Sequence, residues 1–147
     1  MKHLIALTTV FVCMNVIAAA TNPTVNLEVL TTFNLVFKDA QNIRWASTAH
    51  YDEAVFKNNG VQTRAIFDNE GHLLQTIRYY KEDKLPSNIL YNIQKKYCFD
   101  VWGVTEISNS EGTTYNVVLK CSKYWYSVKA NTGGYVTLTS KRSRSDA

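Results

Sequence analysis

Few residues in this sequence have the types and spacing needed for catalysis or metal binding. Apart from His3, it has two histidines, His50 and His72. His50 has Asp52 and Glu53 beside it, a set that could hold a metal ion or transfer a proton. A histidine in a polar, turn-like stretch is more often a surface residue of a turn or strand end. We interpret both histidines in that way and predict neither a metal site nor a cofactor.

The sequence also lacks the common catalytic signatures. It contains no G-x-S-x-G nucleophile motif, no H-E-x-x-H zinc motif and no glycine-rich phosphate loop. Asp68 and Glu70 could act as a carboxylate pair, but they belong to the run Asp-Asn-Glu-Gly, which is typical of a tight turn. The sequence therefore predicts a protein that is not an enzyme.

Aromatic residues are the most informative group. The chain has nine Tyr and three Trp, and both types are enriched in interfaces because they combine apolar area with a polar group. A predicted strand follows Ser122-Lys123, and side chains alternate between the two faces of a strand. One face then carries Tyr124, Tyr126 and Val128, and the other, which we expect to point outwards, carries Trp125, Ser127 and Lys129.

We predict that Trp125 is a partner-binding residue, together with its neighbours on that face. Arg64 and Arg78 would join it if their strand faces agree. The alternative is that Trp125 only covers the rim of the sheet, as exposed apolar residues often do. Trp45 and Trp102 lie beside helix-to-strand junctions, and we expect both to pack in the core.

The N-terminus has the pattern of a cleavable secretory signal. Lys2 precedes an apolar run over residues 4–17, which closes on Ala18-Ala19-Ala20. The run is too short for a membrane-spanning helix, which needs about 20 apolar residues. We predict that residues 1–20 are removed and that the mature protein is periplasmic or secreted, with no membrane span.

The mature chain has the size of one domain. Of the 147 residues, 127 remain after cleavage, and the formal charge falls from +4 to +3 with the loss of Lys2. So small a surplus does not point to nucleic acid. We predict a single domain over residues 21–140 and a disordered polar tail over residues 141–147.

Two cysteines survive signal cleavage, Cys98 and Cys121. In an exported protein they favour a disulfide, which would close a loop of just over twenty residues. Two free thiols are the alternative, because sequence does not reveal whether the pair has bonding geometry.

The remaining pattern predicts two helices, with three or four strands after the first and four strands after the second. An apolar stripe indicates a first helix from about Asn26 to Asp39, and Leu85-Pro86-Ser87 opens a second that ends at Tyr97. Each helix precedes a run of short strands joined by turns. The predicted strands cover residues 43–46, 51–57, 61–67 and 72–80, and then 101–107, 115–121, 124–130 and 135–139.

The two halves are alike at an offset of 60 to 63 residues. We therefore predict an α+β fold of two tandem helix-plus-meander units. The units would form one curved antiparallel sheet with both helices on the same face. The other face would look at solvent or at a partner.

Several segments resemble the PepSY-like family of exported bacterial proteins, which is similar to β-lactamase inhibitor protein. They are the exported start, Phe37-Lys38-Asp39-Ala40-Gln41-Asn42-Ile43-Arg44-Trp45, the strand from Tyr51 to Phe56, the segment from Ala65 to Leu74, and Leu85-Pro86. The resemblance covers nearly all of the mature chain. It implies a tandem α+β fold with a curved sheet and a binding or inhibitory role, but carries over no binding residue.

Taken together, the residues and the resemblance predict an extracytoplasmic, non-catalytic binding module whose partner is a protein. Inhibition of a partner enzyme through the exposed sheet face is the candidate role. The alternative is a carrier of a small ligand, in which the aromatic residues line a cavity.

Overall fold

The computed structural model describes residues 24–97 and 99–145. The predicted signal and Cys98 lie outside these residues, so signal cleavage and the disulfide stay predictions. The described chain forms two α-helices, one short 3-10 helix and eight strands. In chain order they are α1 (Leu27–Val36), β1 (Ala40–Ser47), β2 (Tyr51–Asn58), β3 (Val61–Asp68), β4 (Leu73–Tyr80), the 3-10 helix (Glu82–Lys84), α2 (Ser87–Tyr97), β5 (Asp100–Asn109), β6 (Gly112–Lys120), β7 (Tyr124–Asn131) and β8 (Val136–Ser143).

The eight strands form one antiparallel sheet in sequence order, from β1 to β8. Short turns join consecutive strands, as antiparallel pairing allows, except that the 3-10 helix and α2 lie between β4 and β5. Asn59 and Gly60 both have positive φ, 49° and 77°, as the tight turn between β2 and β3 requires. The predicted α+β class and the single antiparallel sheet are confirmed.

Helix α1 begins at a polar cap and buries one face. The Asn26 Oδ1 accepts the Glu28 N–H at 3.0 Å, which satisfies one of the unpaired donors at the helix start. Val29 and Phe33 are buried against β2 and β3. The helix ends at Val36, earlier than predicted, and Phe37 stays in the core with its ring 4.8 Å from that of Phe56.

Helix α2 starts directly after Pro86, and the apolar positions Leu85, Ile89, Ile93 and Tyr97 recur every four residues. Ile89 and Ile93 are fully buried and pack, with Leu85, against β5 to β8. Lys95 and Lys96 lie in its last turn, where cations are favoured by the helix dipole. Neither described helix has the length and hydropathy needed to cross a bilayer.

Both helices lie on the same face of the sheet, as the strand registers demonstrate. Residues directly opposite each other on antiparallel strands share a face. One such row runs across β2 to β6, namely Phe56, Thr63, Arg78, Glu106 and Tyr115. Phe56 belongs to the core under α1 and Tyr115 to the core under α2. The opposite face, here called the outer face, carries neither helix.

The predicted tail is wrong at its start, because β8 continues to Ser143. Arg142 and Ser143 pair with Trp125 and Tyr124 of β7, and backbone pairing needs no apolar side chain on the added strand. The Lys141 Nζ also lies 4.0 Å from the centre of the Tyr124 ring. Residues 146 and 147 lie outside the described residues.

Candidate binding face

Strand β7 presents Trp125, Ser127 and Lys129 on the outer face. Val128 is buried in the core under α2, and Tyr126 packs against the same core. Because neighbouring residues of a strand point to opposite faces, Trp125 and Ser127 point away from the helices. The alternation predicted from sequence for this strand is therefore confirmed.

Trp102 lies beside Trp125 on the outer face and is 51% exposed. The register of β5 against β6 slips between Val101 and Gly103, so Trp102 is an extra residue of a bulge. Its ring meets that of Trp125 edge to face, with centroids 5.3 Å apart. The predicted core packing of Trp102 is wrong, whereas Trp45 does pack in the core, 5.0 Å from the Phe33 ring.

Two lysines lie over the tryptophan rings. The Lys81 Nζ is 4.6 Å from the centre of the Trp102 ring and donates a hydrogen bond to the Trp102 carbonyl oxygen. The Lys120 Nζ is 4.9 Å from the Trp102 ring centre and 5.7 Å from that of Trp125. Such contacts stabilise by about 0.5–1 kcal/mol at exposed sites. We call these four residues, Trp102, Trp125, Lys81 and Lys120, the tryptophan–lysine patch.

A shallow hollow of about 450 Å³ adjoins this patch. Its lining includes Tyr79, Trp102 and Val118. Gly103 also lines the hollow, and a Cβ added there would have no atom within 4 Å. The patch is thus bordered by open space that a partner's side chain can enter.

Arg64 and Arg78 lie on opposite faces of the sheet. Arg78 is the cross-strand partner of Thr63, a buried residue of the helix-bearing face. Arg64 follows Thr63 in β3 and therefore points outwards. The side chain of Arg64 pairs with Glu53, and this hydrogen bond raises the pKa of the Arg64 guanidinium. Of the two predicted companions of Trp125, Arg64 therefore shares its face and Arg78 does not.

Arg78 belongs to a polar network between the two cores. Its Nη1 lies 2.9 Å from the Glu106 Oε1, and the Tyr80 hydroxyl donates to the other Glu106 oxygen. Burial, together with the hydrogen bond to Glu106, raises the pKa of Tyr80 above its usual range. Glu106 thus neutralises the positive charge of Arg78 on the helix-bearing face. Arg78 is therefore not part of the outer face.

His72 forms an exposed cluster with two carboxylates. One ligand atom each of Asp68, Glu70 and His72 lies within 4.8 Å of the others. The His72 Nδ1 is 2.9 Å from the Asp68 Oδ2 and 3.8 Å from the Glu70 Oε2. The sequence places acidic residues beside His50, but the histidine and carboxylate groups that meet in the structure are those of residues 68, 70 and 72, at the tip of a turn. Hydrogen bonds of the turn account for the arrangement.

Cys121 is half-buried at the end of β6. Its N–H donates to the Tyr124 carbonyl at 3.1 Å, and its own carbonyl accepts from the Arg144 Nη1 at 3.0 Å. These bonds fix the backbone of the β6–β7 turn. Pairing of Cys121 with Cys98 is not tested by the described residues.

Comparison with known proteins yields structural relatives only. The sequence matches no protein-family profile and no curated protein sequence. A BLIP-like protein from Bacteroides fragilis has a similar fold, with a TM-score of 0.62 and 17% identity over 79% of this chain and 84% of that one. A candidate periplasmic protein from Bacteroides eggerthii has a TM-score of 0.63 and 16% identity over 85% and 93% of the two chains.

A third structure is a DUF2874 family protein from Bacteroides ovatus, with a TM-score of 0.62 and 19% identity over 84% of this chain and 88% of that one. At such low identities the likeness concerns the fold alone. The chain therefore has a BLIP-like fold, in agreement with the fold that its sequence resemblance implied.

Proposed function

We propose that this protein is an extracytoplasmic, non-catalytic binding module that presents its outer sheet face to a protein partner. Inhibition of a partner enzyme is the candidate role, and the periplasm or the exterior is the candidate location. The observation that carries the proposal is the packing of the exposed Trp102 against the half-buried Trp125 on the outer face. Tryptophan is among the residues that most often dominate binding energy in protein interfaces.

Three further observations support the proposal. The signal-like residues 1–20 favour export, and one structural neighbour is described as a candidate periplasmic protein. Another neighbour is described as BLIP-like, a fold that the sequence resemblance also implied. Both helices pack on one face of that sheet, so the outer face is free of them.

The proposal is tested by capture of partners from a cell-envelope extract. We expect the immobilised mature protein to retain a partner that Trp125→Ala and Trp102→Ala lose, while the melting temperature changes little. Tyr91→Ala is the matched control, because Tyr91 is an exposed aromatic residue on α2. Retention by Trp125→Ala, or equal loss with Tyr91→Ala, would contradict the use of the outer face.

A carrier of small ligands is the second candidate function. The hollow of about 450 Å³ beside Trp102 favours it, because that volume lies within the range of ligand sites, roughly 300–1,000 Å³. The aromatic residues of the core under α1 instead pack on one another, for example Phe33 on Phe56 at 5.0 Å. A small-molecule screen monitored by the melting temperature distinguishes the two candidates.

A further inference from the structure

We infer that the partner segment bound by the tryptophan–lysine patch is an acidic stretch of polypeptide, with clustered Asp or Glu side chains beside an apolar one. The inference rests on the proposed function and adds the chemistry of the partner. It follows from the charges on this half of the outer face and from the shape of the surface between them.

The charges on this half of the sheet are unbalanced. The outward register positions of β5 to β8 carry three cations, Lys120, Lys129 and Arg142, against one carboxylate, Asp100. Asp100 is the cross-strand neighbour of Lys120, yet no ion pair joins them among the described residues. On the first half, the outward positions carry Arg44, Lys57 and Arg64, and Arg64 is paired with Glu53.

The two lysines of the patch are held in place without being neutralised. Lys81 and Lys120 contact the faces of the tryptophan rings, and within the described part of the chain neither ammonium forms an ion pair with a carboxylate. Lys81 uses one of its three N–H donors on the Trp102 carbonyl. A partner carboxylate can therefore approach two positioned ammonium groups without displacing an internal one.

The neighbouring hollow specifies the apolar part of the partner. Tyr79, Trp102 and Val118 line the hollow and can contact an apolar side chain. Gly103 has no side chain, and the space beside its Cα is open. Residues that dominate binding energy in protein interfaces usually fill pockets, and the rim of the interface around them is polar. Attraction between opposite charges would increase the association rate and set the orientation.

A polypeptide fits this surface better than an anionic membrane does. Membrane recruitment by charge typically uses clusters of about four to eight Lys or Arg on a segment next to a membrane helix or on an amphipathic helix, whereas Lys120, Lys129 and Arg142 lie on three separate strands of the sheet. Two ordered lysines beside a side-chain-sized hollow are suited to a local cluster of carboxylates. Acidic polysaccharide and anionic lipid thus become contrasting outcomes of the test.

The experiment is an NMR titration of the ¹⁵N-labelled mature protein with poly-L-glutamate. The sequence has three tryptophans, so three indole N–H signals are expected, assigned with Trp102→Phe and Trp125→Phe. We expect the signals of Trp102 and Trp125 to shift, with an affinity that falls as salt is added. The Trp45 signal should stay, because Trp45 packs on Phe33 and Phe67 on the helix-bearing face.

A matched pair of charge reversals tests whether the effect is local. Lys81→Glu with Lys120→Glu should weaken binding of poly-L-glutamate by about tenfold. Lys38→Glu with Lys95→Glu makes the same change in net charge at exposed positions outside the patch and should weaken it by less than about twofold. Equal weakening by the two pairs would mean general attraction to a basic protein and would overturn the inference.

Parallel titrations with polygalacturonate and with phosphatidylglycerol vesicles decide the class of partner. Indole shifts with either of these but not with poly-L-glutamate would overturn the polypeptide assignment. If poly-L-glutamate does not shift the indole signals but Trp125-dependent capture from envelope extract persists, the inference of an acidic partner segment is wrong and the proposed function stands. If that capture fails as well, both fail.

Discussion

Among single residues, Asp68 and His72 form the best-defined electrostatic pair. The Asp68 Oδ1 accepts the N–H groups of Glu70 and His72 at 2.9 and 2.8 Å, and its Oδ2 lies 2.9 Å from the His72 Nδ1. These hydrogen bonds hold the pKa of Asp68 below its usual value of 3.8, and the same carboxylate raises the pKa of His72 above 6.5. The turn between β3 and β4 is therefore sensitive to pH.

We predict that Asp68→Asn lowers the pKa of His72 towards 6.5. In the wild type, the contribution of His72 to the free energy of unfolding is complete below pH 6.5 and is lost as pH rises through its higher folded pKa. Asp68 contributes above pH 3.8 and loses its contribution as pH falls through its lower folded pKa. NMR titration of the His72 ring signals measures the change.

Glu70→Gln is the control for this prediction, because the Glu70 Oε2 is 3.8 Å from the His72 Nδ1 and has the smaller influence on its pKa. Its effect on the His72 titration should be smaller than that of Asp68→Asn. An equal or larger effect would show that the Asp68 contact does not control the protonation of His72.

Side-chain direction could be predicted for Trp125 but not for Trp102. The side chains of the strand that contains Trp125 alternate regularly between the two faces. Because Val128 is buried on the helix-bearing face, Trp125 must lie on the opposite one. Trp102 is displaced by a bulge, which adds one residue and defeats simple alternation. Lys81 and Lys120 lie 39 positions apart in the sequence, so no local pattern links them. Their convergence depends on the pairing of strands.

At the scale of elements, turns pack against the starts of the helices. Gly71, in the β3–β4 turn, lies against Glu28 of α1, and a Cβ added there would be 2.8 Å from the Glu28 carbonyl carbon. The Asn26 side chain also donates to the Asn69 carbonyl at 2.7 Å. The second half has similar contacts, from Asn88 to Thr132 and from Asn92 to Gly134. Each helix is thus held at the sheet by a turn as well as by its apolar face.

We predict that Gly71→Ala destabilises the protein by about 3 kcal/mol, and Gly60→Ala by about 1 kcal/mol. Both glycines have positive φ, 87° and 77°, so both substitutions strain the backbone. Only at Gly71 does the new Cβ also collide with backbone, whereas Gly60 has open space around it. Urea unfolding of the two variants measures the difference. Equal losses would mean that the turn does not pack tightly on α1.

Element boundaries followed from sequence where local signals were strong. The turn at Asp68 to Gly71 was predicted from its residue types, and the structure has it. The end of α1 was predicted three residues too late, because the apolar stripe continues through Phe37, whose ring packs in the core after the helix has ended. The last strand was predicted too short, because Lys141 and Arg142 carry no apolar signal.

At the scale of the whole molecule, two hydrophobic cores share one sheet. The core under α1 involves β2 and β3, and the core under α2 involves β5 to β8. Strands β4 and β5 join the halves along six paired residues from Gln75 to Tyr80, and the Arg78–Glu106 ion pair crosses that junction. The two helices and the second set of four strands were predictable from periodicity, whereas the first set was predicted as three or four strands. The polar character of this junction depends on which strands become neighbours.

The last prediction concerns the covalent state of the mature protein. Asp100 and Lys120 are partners at the end of the β5–β6 pairing, and in the sequence Cys98 precedes Asp100 by two residues while Cys121 directly follows Lys120. Each cysteine thus lies within two residues of one of these paired residues in the sequence, which favours a disulfide in an oxidising compartment. Closing a loop of this length would stabilise the protein by about 3 kcal/mol in the chain-entropy model.

We expect exported protein to begin at Thr21 and to accept two alkyl groups only after reduction, as intact mass spectrometry would reveal. Cys98→Ser and Cys121→Ser should lower the urea midpoint equally, because either change removes the same bond. The double variant should be no less stable than the single ones. Alkylation of both cysteines without reductant, or a loss of stability with only one of the two variants, would instead indicate two independent thiols, with Cys121 serving only to pack the β6–β7 turn.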